Sequence, residues 1–406
     1  MKFPKLFIII TLFLTFTGFS YAKTCATHDE VRILVNGNNQ FAFDLYKKLL
    51  TLKPQDNIFF SPFSISSALG MTYIGASGNT SSEIAKVFHF DLSDNKLNEA
   101  FYLLLKEMGE KGSGYILNIA NALWGDKGYE FLSDFLNTIK TYYGGGFYEV
   151  NFRGNPEGSR IKINRWIEEK TKEKIKNLLP PESITPLTRL VITNAIYFKG
   201  KWSYPFKEEN TRPMTFYAPN KKIENVPMMY QKRDFKYKEE KNFKLLELPY
   251  GDKTLSMIII LPLKKDGLSY VESNLSWDNL INIRERAKEI KVNVYIPKFK
   301  MERAYSLREP LMALGMKDAF DPKTADFSKM EPKKSLYISK IVHKAYIDVN
   351  EEGTEAAGAT GVVIALKSIS IKKIPEFKAD HPFIYMIIHN PTGQILFMGR
   401  VIDPNI

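Results

Sequence analysis

The stretch that decides the fold is residues 351–360, Glu-Glu-Gly-Thr-Glu-Ala-Ala-Gly-Ala-Thr, because it consists almost entirely of small and flexible residues. Strand-like runs lie before it, at residues 336–349 (LYISKIVHKAYIDV), and further on, at residues 382–389 (PFIYMIIH). The 38 residues after Ser368 are too few to build a core of their own. The small-residue stretch is therefore an excursion from a domain that closes behind it, and long excursions of this kind are usually functional.

Read with the period of a β-strand, this stretch has two different faces. One face would carry Thr354, Ala356, Gly358 and Thr360, and the other Glu355, Ala357, Ala359 and Gly361. The first set could enter a packed interior, while Glu355 would stay in water. No proline occurs between residues 351 and 368, so every amide is free to join a β-ladder. The sequence is compatible with an inserted central strand and with an exposed loop, which composition alone favours.

The first 22 residues have the three parts of a secretory signal peptide. Lys2 and Lys5 give a positive start, residues 6–19 are apolar, and Ser20 and Ala22 offer small side chains for cleavage. We therefore expect a secreted protein, extracellular or periplasmic. An uncleaved membrane anchor is the alternative, but the apolar run is short for a span. No later apolar run is longer than a strand, so no membrane partner is expected.

Cleavage would leave residues 23–406 and lower the formal net charge from +12 to +10, because Lys2 and Lys5 are lost. The remaining basic residues are dispersed among acidic ones. A polyanion could bind such a surface, but no helix face carries a basic stripe, and no nucleic-acid partner is expected. Neither a linker nor an internal repeat divides the chain, so we predict one domain. We also expect a monomer. The single cysteine, Cys25, cannot form an internal disulfide.

Helical patterns dominate the first half of the chain and strand-like runs the second, which indicates an α+β fold. Residues 62–76 begin with proline and are apolar nearly all round, as in a buried helix. Amphipathic helices are predicted at residues 97–108, 131–142 and 161–178. Strands are predicted at residues 115–124, 190–198, 243–249, 255–261, 291–296, 336–349, 383–389 and 395–401.

The sequence contains no recognisable catalytic or metal-binding motif. Its five histidines form no pair at metal-binding spacing, and neither a phosphate loop nor a Gly-x-Ser-x-Gly turn occurs. We therefore predict no catalytic residues, no metal and no cofactor, and expect that the protein is not an enzyme.

Several ordered segments of the chain resemble the serpin family. Residues 349–359 are similar to the serpin reactive-loop hinge. The similarity extends over nearly the whole mature chain, at residues 57–69 (NIFFSPFSISSAL), 193–202 (TNAIYFKGKW), 292–299 (VNVYIPKF), 341–345 (IVHKA) and from His381 to Pro404.

The resemblance implies three β-sheets, about eight to nine helices and an exposed reactive loop at about residues 351–374. It implies a suicide inhibitor of serine proteases, in which a target's serine attacks the loop and forms an acyl-enzyme. The cleaved loop then inserts between the strands at residues 190–198 and 336–349. The hinge would comprise Glu351, Gly353, Thr354, Glu355, Ala356, Ala357, Gly358 and Ala359.

Counting 17 residues from Glu351, inclusive, as in inhibitory family members, places the reactive bond at Lys367–Ser368. A lysine there suits a trypsin-like specificity pocket with a carboxylate at its base. The chain between residues 368 and 382 looks a few residues longer than in many serpins. Cleavage after Lys372 or Lys373 is therefore an alternative, and it also predicts a trypsin-like target.

Two further groups of residues carry over from the family by position. Ser61, Ser64, Asn194 and His343 match the shutter, a polar cluster beneath the strands that open. Trp202 and Lys298 match the breach, where insertion begins and where Lys298 is placed to pair with Glu351. A surface pair there would contribute little.

The alternative function is a non-inhibitory serpin that acts as a carrier, chaperone or interaction protein. Such members often place proline, charge or bulk at inward hinge positions, whereas Thr354, Ala356 and Gly358 are small. A polyanion-activated inhibitor is a third option, weakened because residues 95–112 hold few lysines and no arginine. Asn79 and Asn274 lie in glycan acceptor patterns.

Overall fold

The computed structural model describes residues 28–109, 114–144, 146–354 and 374–405. Most of the α-helices in these ranges belong to the first half of the chain, as the sequence predicted. They are α1 (His28–Leu52), α2 (Pro62–Ile74), α3 (Gly78–Phe88), α4 (Asp94–Gly109), α5 (Ser133–Tyr143), α6 (Pro156–Lys170), α7 (Leu268–Asn274), α8 (Trp277–Glu285) and α9 (Arg308–Leu314). None of these described helices is both long and apolar enough to cross a membrane.

The strands of the same ranges fall mainly in the second half. They are β1 (Ile58–Phe60), β2 (Tyr115–Asp126), β3 (Phe147–Val150), β4 (Leu190–Lys201), β5 (Arg212–Ala218), β6 (Lys221–Glu239), β7 (Phe243–Tyr250), β8 (Leu255–Pro262), β9 (Lys288–Pro297), β10 (Phe299–Ser306), β11 (Ile338–Asn350), β12 (Gly353–Thr354), β13 (Glu376–Lys378), β14 (Phe383–His389) and β15 (Ile395–Val401). The α+β class predicted from the sequence is confirmed.

Two hydrogen-bonded networks contain these strands. The larger has the order β1-β15-β14-β8-β7-β6-β9-β13, with β5 also paired to β6. Strand β6 is 19 residues long; it pairs with β5 over its first part, from Lys221 to Met228, with β9 from Met228 to Tyr237 and with β7 at its end. It therefore joins two of the three expected sheets into one continuous network.

The smaller network is a six-stranded sheet with the order β10-β11-β12-β4-β2-β3. At its centre β4 and β11 run parallel, from Leu190 opposite Ile338 to Tyr197 opposite Tyr346. We call this pairing the central seam. Beyond it the short strand β12 lies between β4 and β11 and pairs with both. Strands β4 and β11 are thus hydrogen-bonded to each other along the central seam, and at their far end, past Tyr197 and Tyr346, they are separated by β12.

Both faces of the central seam are buried. On one face α2 packs against β2 and β4. This helix begins at Pro62 after the N-cap Ser61, whose side chain accepts a hydrogen bond from the Ser64 N–H, and nearly all of its residues are buried. On the other face the apolar side of α6 and the segment after it cover β4 and β11. An incoming strand would therefore enter a fully packed layer.

Helix α6 ends at Lys170, so the predicted helix over residues 161–178 is wrong in its second half. The backbone turns left-handed at Lys172 (φ 51°), Glu173 (φ 60°) and Asn177 (φ 51°). Residues with side chains rarely adopt this conformation, and it cannot continue a right-handed helix. Since no glycine or proline occurs there, the sequence carried no signal for this ending.

Candidate functional site

The described part of the hinge, which ends at Thr354, enters the six-stranded sheet. Gly353 pairs with Asn350 on β11 and Lys201 on β4, and Thr354 is likewise held between these two strands. Thr354 is completely buried, and its hydroxyl is hydrogen-bonded to the hydroxyl of Tyr250. The first residues of a new central strand are therefore already in place.

Gly353 occupies a position that only glycine fits. Its φ of 147° is one that residues with side chains rarely adopt, and an added Cβ would lie 2.0 Å from the carbonyl oxygen of Gly200. The absence of a side chain lets the hinge approach β4 closely enough to pair with it.

Glu351 anchors the start of the hinge. Its carboxylate accepts hydrogen bonds from Lys298 Nζ at 2.8 Å and from Thr211 Oγ1 at 2.7 Å. Burial alone would raise the pKa of Glu351, but these hydrogen bonds, together with a main-chain hydrogen bond and the charge of Lys298, outweigh it and hold the pKa below its ordinary value. The glutamate side chain is only 6% exposed. The expected surface pair is therefore a contact with a buried carboxylate.

Trp202 holds the turn between β11 and β12. Its main-chain N–H donates to the carbonyl oxygen of Glu352 over 2.8 Å, and its Nε1 donates to the carbonyl oxygen of Asn350 over 2.9 Å. Its ring stacks on Tyr250 with centroids 4.3 Å apart. The two predicted breach residues thus both contact the start of the hinge: Trp202 bonds the main chain on either side of Glu351, and Lys298 bonds the Glu351 carboxylate.

The four predicted shutter residues form one hydrogen-bonded cluster beneath the central seam. The main-chain N–H of Ser61 donates to Nε2 of His343 over 3.1 Å, and Nδ1 of His343 contacts Oδ1 of Asn194. Nδ2 of Asn194 donates to Oγ of Ser64 over 2.6 Å. All four residues are buried. The cluster links the start of α2 to both strands of the seam.

His343 is neutral in this cluster. Burial lowers its pKa from 6.5 to about 3. Since Nε2 accepts the Ser61 N–H, the proton sits on Nδ1 and is donated to Asn194. The ring also lies parallel to that of Tyr305, with 6.3 Å between centroids. Because the imidazole of His343 is uncharged, its hydrogen bonds to Ser61 and Asn194 satisfy it without a neighbouring carboxylate.

The sequence reasoning missed several members of these two clusters. Asn121 lies opposite Asn194, accepts a hydrogen bond from Ser64 Oγ at 3.0 Å and donates to Ser67 Oγ over 2.6 Å. Its signal was an asparagine inside the otherwise apolar stretch IANALW, residues 119–124. At the hinge, Thr211 and Tyr250 had no signal because their role depends on long-range pairing.

The breach and the shutter are separate places on one strand. Asn194 and Gly200 are six residues apart on β4, which corresponds to about 20 Å. A strand that starts at the hinge would pass over the shutter after further insertion. Where the chain is described, no three His, Cys, Asp or Glu side chains converge as metal ligands.

The remaining predicted residues lie outside the described residues. These are the hinge positions Glu355, Ala356, Ala357, Gly358 and Ala359, the predicted reactive bond Lys367–Ser368, and the alternative cleavage positions Lys372 and Lys373.

Comparisons with known proteins agree with this geometry. A family model described as "Serpin (serine protease inhibitor)" matches residues 36–404. An uncharacterized serpin-like protein of Thermococcus kodakarensis is 46% identical over 373 residues, which cover 91% of this chain and 86% of that protein. The leukocyte elastase inhibitor of Xenopus tropicalis is 42% identical over 371 residues, 90% of this chain and 97% of that protein. The crystal structure of uncleaved ovalbumin is similar with a TM-score of 0.82 and 33% identity, covering 91% of this chain and all of that one.

Proposed function

Because the chain belongs to the serpin family, we propose that it is a secreted inhibitor that traps trypsin-like serine proteases by a suicide mechanism. The observation that carries this proposal is the burial of Thr354 between β4 and β11. A central strand has begun at the point where an inserting loop would have to enter.

The reaction would begin at the Lys367–Ser368 bond. The protease serine oxygen attacks the carbonyl carbon of Lys367, the bond to the nitrogen of Ser368 breaks, and that nitrogen leaves as a protonated amine. The protease then remains attached to Lys367 as an ester. Cutting the chain here frees the segment after Thr354 to continue into the sheet.

Insertion would supply the energy that distorts the attached protease. The 14 residues from Thr354 to Lys367 span about 46 Å when extended, at 3.3 Å for each residue. About a dozen new ladder hydrogen bonds at about 1 kcal/mol each amount to about 10 kcal/mol. Such a drive could move the protease from one end of the sheet to the other before it hydrolyses the ester.

The trypsin-like specificity rests on the side chain at the reactive bond. Lysine places an ammonium group where a trypsin-like pocket offers a carboxylate. Relatives of this chain are named leukocyte elastase inhibitors, so an elastase is the competing target. Since the residue at the cut enters the specificity pocket, Lys367 favours trypsin over elastase. Secretion rests on the signal-peptide pattern of residues 1–22.

A gel assay against trypsin and leukocyte elastase tests the proposal. We expect a complex that survives denaturant with trypsin, and mass spectrometry should find a released peptide that begins at Ser368. The variant Lys367→Ala is the matched control and should lose the reaction with trypsin while it keeps the fold.

Three outcomes would change the proposal. Cleavage without a stable complex would contradict the inhibitory mechanism and favour the carrier or chaperone alternative. A peptide that begins after Lys372 or Lys373 would move the reactive bond. A complex with elastase alone would contradict the trypsin-like specificity.

A further inference from the structure

The last residue pair of the central seam consists of two tyrosines. Tyr197 on β4 lies opposite Tyr346 on β11, and their ring centroids are 6.3 Å apart with the planes tilted by 45°. Both residues are buried on the face that α6 covers. Aromatic rings at this separation attract each other beyond the effect of their buried area. We call this contact the tyrosine latch.

Two lysines strengthen the tyrosine latch from outside. Lys174 Nζ lies 5.9 Å from the ring centroid of Tyr197, and Lys300 Nζ lies 5.3 Å from that of Tyr346. A cation over an aromatic face is attracted by the ring electrons. Each tyrosine is therefore held by its partner ring and by one ammonium group.

The segment after α6 ties the same two strands together. While Lys174 lies over Tyr197 of β4, the main-chain oxygen of Lys176 accepts a hydrogen bond of 2.8 Å from Lys344 of β11. The left-handed residues Lys172 and Asn177 on either side fix the path of this segment. The segment after α6 therefore contacts both β4 and β11 close to the tyrosine latch.

The register shows when this latch must open. Thr354 faces Gly200 on β4 and Val349 on β11, and the pairing with both strands is antiparallel. Each further residue of the inserting strand therefore moves one residue back along both neighbours. The third residue after Thr354 would lie between Tyr197 and Tyr346, so their contact has to break at that step.

We propose that the contact between Tyr197 and Tyr346 sets the rate at which the sheet opens beyond Thr354. This inference rests on the proposed function, because it names the residues that time loop insertion after acylation. An intact latch keeps the uncut loop from inserting further, and its opening time competes with hydrolysis of the ester. Tyr197 and Tyr346 are positioning residues for the reaction.

Sheet opening can be measured without any protease. A labelled synthetic peptide with the sequence of residues 354–367 is added to the full-length protein, and its annealing is followed by fluorescence anisotropy. Loss of the ring contact and of one cation–ring contact in Tyr346→Val should accelerate annealing about tenfold. The conservative variant Tyr346→Phe keeps both contacts and should anneal at the wild-type rate.

Another tyrosine pair provides the matched control. Tyr102 and Tyr142, on α4 and α5, have ring centroids 6.4 Å apart and lie away from the seam. Tyr102→Val should leave annealing unchanged. The surface double variant Lys174→Met/Lys300→Met should accelerate annealing about threefold. If Tyr346→Val does not fold, this double variant tests the inference instead, and annealing at the wild-type rate would contradict it.

The melting temperature of the peptide-annealed form separates timing from general stability. The tyrosines are already parted in that form, so Tyr346→Val should lower its melting temperature less than it lowers that of the protein without peptide. Annealing of Tyr346→Val at the wild-type rate, or equal acceleration by Tyr102→Val, would overturn the inference. A wild-type protein that anneals the peptide but never traps trypsin would instead refute the proposed function.

Discussion

The hydroxyl oxygens of Thr354 and Tyr250 lie 3.0 Å apart in the interior of the protein, and both residues are completely buried. Burial raises the pKa of Tyr250, so its hydroxyl stays protonated. Tyr250 also stacks on Trp202, which donates hydrogen bonds to the turn before Thr354. A single aromatic pair therefore holds Thr354 and the turn before it, where the proposed insertion would begin.

Replacing Thr354 with arginine should convert the inhibitor into a substrate. A guanidinium group would have to leave water at a position where Tyr250 offers one neutral hydroxyl, and burying an unpaired charge is costly. Any cost above about 1.4 kcal/mol slows insertion at least tenfold, which lets the protease hydrolyse the ester first. The measurement is the number of inhibitor molecules consumed for each trypsin molecule inactivated.

Thr354→Ser is the matched control for this substitution, since it keeps the hydroxyl that bonds Tyr250. We expect it to inhibit like the wild type. Full trapping by Thr354→Arg, at one inhibitor for each protease, would show that inhibition does not require this residue in the sheet.

Replacing Gly353 with alanine should push the hinge out of the sheet. The new Cβ would meet main-chain atoms of Gly200 and Lys201 at 2.0 and 2.7 Å, and the φ of 147° would be strained. We expect a loss of about 2 kcal/mol in the free energy of unfolding and a change in the fluorescence of Trp202, which touches the hinge.

Gly109→Ala controls for the added methyl group, because beyond its own helix no atom of the described residues lies within 4 Å of a Cβ built there. It should change neither stability nor fluorescence. Equal behaviour of the two alanine variants would contradict the close approach of Gly353 to β4.

The contacts of the Glu351 carboxylate with Lys298 and Thr211 should weaken in acid. The pKa of Glu351 is lower in the folded protein than its ordinary value of 4.5, so the unfolded chain binds more protons as the pH falls through this range. The stabilisation is fully present above pH 4.5 and is lost as the pH falls through the folded pKa. Melting curves between pH 3 and 6 should show a steeper acid loss for the wild type than for Glu351→Gln. Parallel curves would mean that the carboxylate is not held as the structure shows.

Much of the fold followed from local sequence patterns. The apolar run after Pro62 became the buried helix α2, and the strand-like run that ends at Val349 became β11. Family resemblance supplied the shutter and breach positions, and the structure brings each group together. The reactive bond lies outside the described residues and stays a prediction.

Other features could not be predicted because they depend on pairing between distant segments. Asn121 joins the shutter only through the β2–β4 register that sets it opposite Asn194. Thr211 joins the hinge because β5 begins beside Glu351. The early end of α6 coincides with left-handed residues such as Lys172, which no nearby glycine or proline announces in the sequence.

Protonation of His343 in the shutter should destabilise the protein at higher pH than protonation of Glu351 does. His343 has a pKa of about 3 when folded and about 6.5 when unfolded, so the unfolded chain binds more protons between these values and stability falls with falling pH. Full stabilisation is present above pH 6.5, and about 2 kcal/mol of it should be lost by pH 5. His343→Gln cannot titrate, so its unfolding free energy should depend less on pH in this window. His389, whose pKa burial lowers to about 4, contributes with the same sign and is present in both proteins, so it cancels in the comparison. Identical pH dependence from 6.5 to 5 in the two proteins would contradict a neutral, buried His343.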